Sequence, residues 1–317
     1  MVDAQLIPGM IEPIEQKILY ELGRAIDVDN QGCVVEFGTF FGRSTACIMR
    51  GLGDRSSLAS CRPIMYAFDS FNCRVDGEFA KHVRACSGQG KVEELVETVG
   101  DRINFRKVFE HYLEPHTTDG SLQIIEAEIK DSQCPCDEIS LMHIDAPKFY
   151  NELKIIMDRF FPKLKNGSVI VFQDYFFHWS GTIIAAIQFL LEAGVIRIST
   201  TAASSLVTEV VDTISLDLIE GIDKKMQTSF VPTVIDRAIN SMVSKVVDRP
   251  TVFLPRMCLS KIPYYWETGR YGDVRQCVID ALGVNKQNTK FDPVTMDLLD
   301  MFAYGFDAKG QYDLEHE

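Results

Sequence analysis

The segment Cys33-Val-Val-Glu36-Phe-Gly38-Thr-Phe-Phe-Gly42-Arg-Ser44-Thr45 is the most informative part of this chain. Its apolar start predicts a buried strand, which is followed by a tight glycine turn and by a helix that begins at Ser44 or Thr45. Glycine adopts backbone conformations that a Cβ forbids, and it lets the chain approach a ligand closely. The first backbone amides of the helix would face that ligand. The stretch therefore indicates a nucleotide-like cofactor site in an α/β protein.

Beyond this stretch, apolar runs alternate with amphipathic segments as far as about residue 211. The runs that predict further strands are 64–68, 122–129, 139–144, 168–172, 195–200 and 205–211. Segments such as 149–164 and 182–193 have the spacing of helices. This alternation is typical of βαβ units, so we expect a doubly wound, mainly parallel sheet. The polar segment 72–100 predicts a loop with one or two helices, long enough to act as a lid.

The chain divides into three predicted regions. Residues 1–30 form an N-terminal helical segment, and residues 31–215 form the Rossmann-like domain that would bind the cofactor. Residues 216–317 form a helical C-terminal extension, which would serve as a lid or an oligomer contact. Within this extension we expect helices at 234–247, 273–282 and 292–302. The N-terminal helix is predicted from apolar residues at helical spacing, namely Ile11, Ile14, Ile18, Leu19 and Leu22.

The composition of the chain argues against some classes of binding partner. A formal net charge of −13 argues against nucleic acid, which favours a basic face. The N-terminus lacks the pattern of a secretory signal, and the most apolar window, 181–196, is too short to span a bilayer. We therefore expect a cytoplasmic protein without membrane contact. A small-molecule substrate and a homo-oligomeric state are further expectations. The nine cysteines have no zinc-like spacing, so we expect free thiols.

Polar groups follow four of the predicted strands, at the edge where ligands of doubly wound sheets bind. They are the Gly38 turn, Asp69, Asp145 and the pair Gln173-Asp174. An acid that ends the second strand can accept both hydroxyls of an adenosine ribose, and charged hydrogen bonds of this kind contribute roughly 1.5–3 kcal/mol. An NAD enzyme and an S-adenosylmethionine enzyme would both use such an acid.

The glycine spacing helps to separate these two classes. A dinucleotide site uses G-x-G-x-x-G around its pyrophosphate, whereas this chain has Glu36-x-Gly38-x-x-x-Gly42. An acid two residues before the first glycine would repel a pyrophosphate and attract a sulfonium or ammonium group. The pattern favours S-adenosylmethionine, and an NAD(P)-dependent oxidoreductase stays as the less favoured alternative.

Five motifs in order carry a family resemblance. They are the stretch from Val34 to Thr45, Phe68-Asp-Ser-Phe71, His143-Ile-Asp145, Leu164-Lys-Asn-Gly167 and Gln173-Asp-Tyr175. Together they resemble class I S-adenosylmethionine-dependent methyltransferases, in particular the macrocin O-methyltransferase-like and cephalosporin-hydroxylase-like group of natural-product pathways. The resemblance covers residues 10–212 and implies a seven-stranded sheet whose final strand is antiparallel. It implies an O-methyltransferase acting on a hydroxyl of a small secondary metabolite, such as a sugar or a polyketide.

The resemblance also implies positions for the cofactor. Its methionine part would lie near Glu36, Gly38 and Gly42, its ribose at Asp69, and its adenine near Glu126 and Ala127. Further cofactor contacts are expected at Thr39, Ser44, Ser70 and Asp145.

The resemblance also implies a magnesium site and a catalytic base, but this chain departs from the family pattern at both. Many members hold Mg²⁺ with a carboxylate that matches Asp145 and with an acidic pair that matches Gln173 and Asp174. Because Gln173 replaces the first acid, metal binding should be weaker or absent. Ala146 and Pro147 cannot act as a base, which leaves Lys148, if its pKa is lowered, and His178 as candidates.

Each of these residues also has a purely structural interpretation. Asp145 could cap the turn into the next helix, and His143 is expected to be a buried, hydrogen-bonded histidine. The aromatic cluster 176–179 could line a substrate pocket or pack in the core. The amide at Gln173 also keeps open a second function, a catalytically silent methyltransferase-like partner protein.

Overall fold

The computed structural model describes residues 4–26, 32–54, 63–245 and 250–284. Within these ranges lie ten strands: β1 (Cys33–Phe37), β2 (Met65–Asp69), β3 (Asn72–Arg74), β4 (Glu97–Val99), β5 (Arg102–Asn104), β6 (Leu122–Glu126), β7 (Ile139–Ile144), β8 (Leu164–Phe172), β9 (Ile196–Ala202) and β10 (Ser205–Val210). Seven of them form the central sheet, in the order β6-β2-β1-β7-β8-β10-β9.

The strand directions confirm the predicted sheet. Strands β6, β2, β1, β7 and β8 run parallel, and β10, the last of the described strands, pairs antiparallel with both β8 and β9. The order of the parallel strands reverses between β1 and β7. Such a switch point opens a crevice at the carboxyl ends of the strands, and this crevice is where ligands bind in open α/β sheets.

Helices cover both faces of the sheet. They are α1 (Pro13–Ala25), α2 (Arg43–Gly53), α3 (Glu78–Gly90), α4 (Arg106–Thr118), α5 (Tyr150–Phe160), α6 (Gly181–Glu192), α7 (Leu216–Thr228), α8 (Val231–Met242), α9 (Pro250–Leu259), α10 (Ile262–Glu267) and α11 (Tyr271–Val284). One hydrophobic cluster joins the sheet to α1–α4, and a second joins it to α5–α9. Each fully buried aliphatic or aromatic side chain in them stabilises the fold by roughly 1.5–3 kcal/mol.

Successive side chains of β1 point to opposite faces of the sheet, and so pack in different hydrophobic clusters. Val35 and Phe37 belong to the cluster with α5–α9, whereas Val34 belongs to the cluster with α1–α4. Because strand side chains alternate, Glu36 points to the same face as Val34. In β7, His143 likewise shares the face of Leu141. The strand register pairs Glu36 with His143.

The segment 72–100 is more ordered than the sequence predicts. It contains the expected helix, α3, but also β3 and β4, which pair antiparallel with β5 into a small sheet of order β3-β5-β4. The sequence pattern misses this sheet because its strands have three residues each and β4 is fully exposed. Such short, polar strands carry no apolar alternation that would predict them.

The C-terminal region is helical as far as the structure describes it. The predicted helices at 234–247 and 273–282 overlap α8 and α11, whereas the one at 292–302 lies outside the described residues. Helices α8 and α9 pack on the main core, and α9, α10 and α11 share a third cluster. The division of the chain at residues 30 and 215 stays a prediction. None of the described helices combines the length and apolarity needed to cross a membrane.

The prediction that the cysteines are free is wrong for one pair. A disulfide joins Cys33, at the start of β1, to Cys136, in the segment before β7. The two residues are 103 positions apart, so their spacing gave no signal of the pairing. Six other described cysteines are free: Cys47, Cys73, Cys86, Cys134, Cys258 and Cys277.

Candidate active site

A cavity of about 690 Å³ opens at the carboxyl ends of the parallel strands. Its volume lies in the usual range of small-molecule and cofactor sites. Residues that follow β1, β2, β6, β7 and β8 all reach it, as the topology requires. The predicted site residues that line it are Gly38, Asp69, Ser70, Ala127, Asp145, Lys148, Gln173 and Asp174. The structure thus brings together the polar ends of strands that are far apart in the sequence.

The cavity is strongly acidic. Among its described lining residues, two side chains are permanent cations, Lys148 and Arg256, and seven are carboxylates: Glu12, Glu15, Asp69, Glu128, Asp145, Glu152 and Asp174. An excess of carboxylates in a concave site attracts cationic groups and repels anionic ones. The cavity therefore suits a ligand with a positive centre.

Aromatic rings form much of the apolar wall. Phe40 lies with its ring edge-on to Phe79 and Phe105, at centroid distances of 5.4 and 5.5 Å. Phe177 stacks on Trp179 at 4.3 Å, and both rings line the cavity. The residues of the aromatic cluster 176–179 thus take different positions. Phe177 and Trp179 line the cavity, whereas Phe176 is fully buried in the core.

Gly38 brings the loop after β1 against the loop after β7. Its φ is +83°, and its amide donates to the carbonyl of Phe68 at 2.9 Å. A Cβ here would lie 2.7 Å from the backbone nitrogen of Ala146. Only glycine fits this position without strain, as the sequence pattern predicts. Gly42, Thr39 and Ser44, also predicted as cofactor contacts, are not among the residues that line the cavity.

Asp69 ties the loops after β1 and β2 together at the cavity wall. Its carboxylate accepts hydrogen bonds from the amides of Phe40 at 2.9 Å and Phe71 at 2.7 Å, and also from the amide of Thr39. Burial raises the pKa of Asp69 to about 6, although these amides oppose the rise. The predicted role of Asp69 at a ribose stays a prediction, and its loop-bracing role is new. Glu126 bonds Arg106 at 2.6 Å and does not line the cavity, whereas Ala127 does.

Glu36 is not among the residues that line the cavity, and its predicted place beside the methionine part of the cofactor stays a prediction. It is fully buried, and its two oxygens accept from Thr45 Oγ1 at 2.5 Å and contact His143 Nδ1 at 2.9 Å. Burial disfavours the imidazolium, but the Glu36 carboxylate outweighs it and raises the pKa of His143. The expected buried, hydrogen-bonded state of His143 matches this geometry. Glu36 and His143 thus form a buried, hydrogen-bonded pair beneath the cavity.

Gln173 continues this network upward into the cavity. Its Oε1 lies 3.4 Å from His143 Nε2 and accepts from Ser205 Oγ at 2.7 Å. Its Nε2 donates to Glu15 Oε1 at 2.8 Å. Glu15, which also accepts from the hydroxyl of Ser204 at 2.9 Å, is a cavity residue on α1 that the sequence analysis did not select.

A signal for Glu15 was present in the sequence. Positions 11, 15, 19 and 23 form one helical stripe, in which Ile11, Leu19 and Gly23 are small or apolar and Glu15 is the only charge. A carboxylate on the buried stripe of a helix needs partners, because an unpaired buried charge is costly. Burial raises the pKa of Glu15, and the hydrogen bonds from its neighbours oppose this rise.

Lys148 bridges two candidate metal ligands. Its Nζ lies 3.0 Å from Asp174 Oδ2, 3.0 Å from the carbonyl oxygen of Asp145 and 3.7 Å from Asp145 Oδ1. Burial disfavours the ammonium, but the two carboxylates prevail and raise the pKa of Lys148. This shift is opposite to the one that a lysine base requires. Burial raises the pKa of Asp145 to about 7, against the influence of Lys148.

His178, the other candidate base, is not among the residues that line the cavity. Its ring packs against Trp179 at a centroid distance of 4.7 Å. By contrast, Arg256 of α9 does line it, with its guanidinium 4.7 Å from the ring centre of Phe177. One of the C-terminal helices, α9, therefore contributes to the cavity wall.

Residues 35–175 match a family model described as a methyltransferase domain. This chain contains a methyltransferase domain. The domain comprises β1 to β8, and with them all the polar strand ends of the cavity. The match favours the methyltransferase over the NAD(P)-dependent oxidoreductase. A search of curated proteins found no match.

Solved structures of methyltransferases are similar to this chain at low identity. The O-methyltransferase NovP is 15% identical over 64% of this chain and 82% of its own, with a TM-score of 0.46. The calicheamicin methyltransferase CalS11 is 18% identical over 63% and 78%, with a TM-score of 0.42. The Podospora anserina methyltransferase PaMTH1 is 12% identical over 64% and 80%, with a TM-score of 0.40.

Proposed function

We propose that this chain is an S-adenosylmethionine-dependent O-methyltransferase that acts on a hydroxyl of a small secondary metabolite. The observation that carries the proposal is the carboxylate-rich cavity at the switch point of the methyltransferase domain. A sulfonium is positively charged, so this cavity favours it over a pyrophosphate-bearing dinucleotide. The predicted cytoplasmic location and homo-oligomeric state stay predictions, the second of which light scattering of the purified protein would measure.

The residues present fit this cofactor on two points. Gly38, which no side chain could replace without a clash with the loop after β7, lines the cavity at the switch point, and Asp69 lines the same cavity. Gly38, Asp69, Ser70 and Ala127 would hold the cofactor, and its sulfonium would supply an activated methyl group. Glu36 would act from beneath, by bracing His143 and through it Gln173.

The remaining cavity residues would handle the acceptor. Phe177 and Trp179 offer apolar surface against which a small organic molecule can pack. We assign the base to Asp145 rather than to Lys148, because Lys148 is held as an ammonium between two carboxylates. The Asp145 carboxylate would accept the hydroxyl proton, and Lys148 Nζ would donate a hydrogen bond to the oxygen that becomes negative. Correct placement of the two reactants would supply much of the remaining acceleration.

Calorimetric titration of S-adenosylhomocysteine into the purified protein tests the proposal. Binding is expected both with magnesium and with EDTA, and Asp69→Asn should weaken it. Asp76→Asn is a matched control, because Asp76 is exposed and pairs with Arg74 away from the cavity. Absence of binding at millimolar ligand in both conditions would falsify the proposal.

A catalytically silent, methyltransferase-like partner protein is the second candidate. It is favoured by Gln173, whose amide replaces an acid and is committed to Ser205, His143 and Glu15. This candidate predicts cofactor binding, no methylated product and a stable complex with another enzyme. A transfer assay with labelled methyl groups and a panel of hydroxyl acceptors separates the two, since turnover of one natural acceptor ends the silent alternative.

A further inference from the structure

The divalent cation implied by the family resemblance does not fit the side chains of this cavity. Its expected ligands are Asp145, Gln173 and Asp174, and all three do line the cavity. The described residues contain no group of three or more His, Cys, Asp or Glu side chains that could hold a metal ion. The reasons lie in the contacts that Gln173 and Lys148 make.

Gln173 has no oxygen to offer a metal. Its Oε1 already accepts from Ser205 Oγ at 2.7 Å and faces His143 Nε2 at 3.4 Å. Its Nε2 is held 2.8 Å from the buried carboxylate of Glu15. An aspartate or glutamate at position 173 would place two buried carboxylates side by side, which is unfavourable. Gln173 is therefore suited to its neighbour on α1 and not to a cation.

The place between Asp145 and Asp174 is taken by a cation of the chain itself. Lys148 Nζ contacts Asp174 Oδ2 and the Asp145 carbonyl at 3.0 Å each, and Asp145 Oδ1 at 3.7 Å. A divalent cation on the same oxygens would lie within a few ångströms of this ammonium. At such distances like charges repel by several kcal/mol even with substantial screening.

We propose that the ammonium of Lys148 takes the place of a divalent cation between Asp145 and Asp174, so that methyl transfer by this chain needs no metal. This inference rests on the proposed function. Lys148 orients both carboxylates and donates a hydrogen bond to the acceptor oxygen, and the hydroxyl proton passes to Asp145. The bond that forms joins the acceptor oxygen to the methyl carbon, and the bond that breaks joins that carbon to the sulfonium sulfur.

Binding of Mn²⁺ to the full chain tests the inference without any turnover. Manganese is the probe because it prefers carboxylate and carbonyl ligands and is detected by electron paramagnetic resonance. The wild type should bind it more weakly than about 1 mM. Lys148→Met should bind it at least about tenfold more tightly, because the repelling charge is gone. The gain should disappear in the double variant Lys148→Met/Asp174→Asn.

Lys154→Met is the matched control, since Lys154 pairs with Asp158 at 2.6 Å outside the cavity. It should bind Mn²⁺ as weakly as the wild type. The side chain of Lys148 is 45% exposed, so its replacement does not open the core. Submillimolar binding by the wild type, or no gain in Lys148→Met, would overturn the inference. Titration of S-adenosylhomocysteine in EDTA reports separately on the proposed function, because it does not depend on manganese.

Discussion

The contact between Gly38 and the loop after β7 leads to a quantitative prediction for Gly38→Ala. Alanine at φ +83° costs about 1–2 kcal/mol, because L-residues avoid left-handed backbone. Its Cβ would also lie 2.7 Å from the nitrogen of Ala146 and 3.1 Å from the carbonyl carbon of Asp145. Forcing these backbones apart costs roughly 1–3 kcal/mol more. We expect Gly38→Ala to lower the free energy of unfolding by about 2–5 kcal/mol in total.

Gly167→Ala separates the two contributions. Gly167 lies in β8 at φ +90°, and a Cβ there would meet no atom within 4 Å. This variant should therefore lose only the backbone term of about 1–2 kcal/mol. Urea unfolding of both variants measures the difference, which is the cost of the contact with the loop after β7.

Cofactor binding gives a second readout for the same pair. Gly38→Ala should displace Ala146 and Asp145, which both line the cavity. S-adenosylhomocysteine should then bind more weakly, by about tenfold for each 1.4 kcal/mol of binding free energy that its contacts with these residues lose. Gly167→Ala should bind as the wild type does. Equal losses of stability in the two variants, with equal affinities, would show that the approach of the two loops has no energetic consequence and would refute the reasoning.

Four further predictions follow from the cavity and its supports. Asp69→Asn should weaken binding of S-adenosylhomocysteine by about tenfold or more in calorimetry, since a charged hydrogen bond contributes roughly 1.5–3 kcal/mol; unchanged affinity would remove Asp69 from the site. Because burial raises the pKa of Asp69 from 3.8 to about 6, the folded protein binds this proton more tightly than the unfolded chain does. The contribution of protonated Asp69 to stability should be complete below about pH 4 and lost as the pH rises through 6. In urea unfolding, the free energy of unfolding of the wild type should therefore fall by up to roughly 3 kcal/mol relative to that of Asp69→Asn over this range. Glu15→Ala should cost about 2 kcal/mol or more in urea unfolding by leaving buried donors without an acceptor, and Glu21→Ala, on the exposed side of the same helix, should cost less than about 0.5 kcal/mol. Trp179 lines the cavity, and in the variant Trp266→Phe it is the one remaining tryptophan of the sequence. The tryptophan fluorescence of this variant should change when S-adenosylhomocysteine binds; an unchanged spectrum at saturation would place the ligand away from Trp179.

Local patterns in the sequence account for the framework of the site. The apolar run before Gly38 predicts β1, and the runs before Asp69, Asp145 and Gln173 predict β2, β7 and β8. Because the carboxyl ends of parallel strands share one edge of a sheet, these residues were expected to converge, and they do line one cavity. The conformation of Gly38 was also foreseeable, since it depends on the backbone of a single residue.

The partners of the charged residues could not be predicted in the same way. Glu36 precedes the glycine turn as a cofactor-binding acid would, but it pairs with His143, 107 positions away. Glu15 accepts from the hydroxyl of Ser204, which is 189 positions away in the sequence. Lys148 lies near Asp145 in the sequence, but its second carboxylate partner, Asp174, is 26 positions away.

The strands, the glycine turn and the edge of the sheet at which a ligand would bind could be predicted from the sequence, because they depend on periodicity and on single-residue conformations. The folded chain was needed to show which carboxylates line the cavity, which are paired beneath it, and which cation lies between Asp145 and Asp174. The physical reason is that the state of a buried charge depends on its nearest partners, and folding brings those partners from distant parts of the chain.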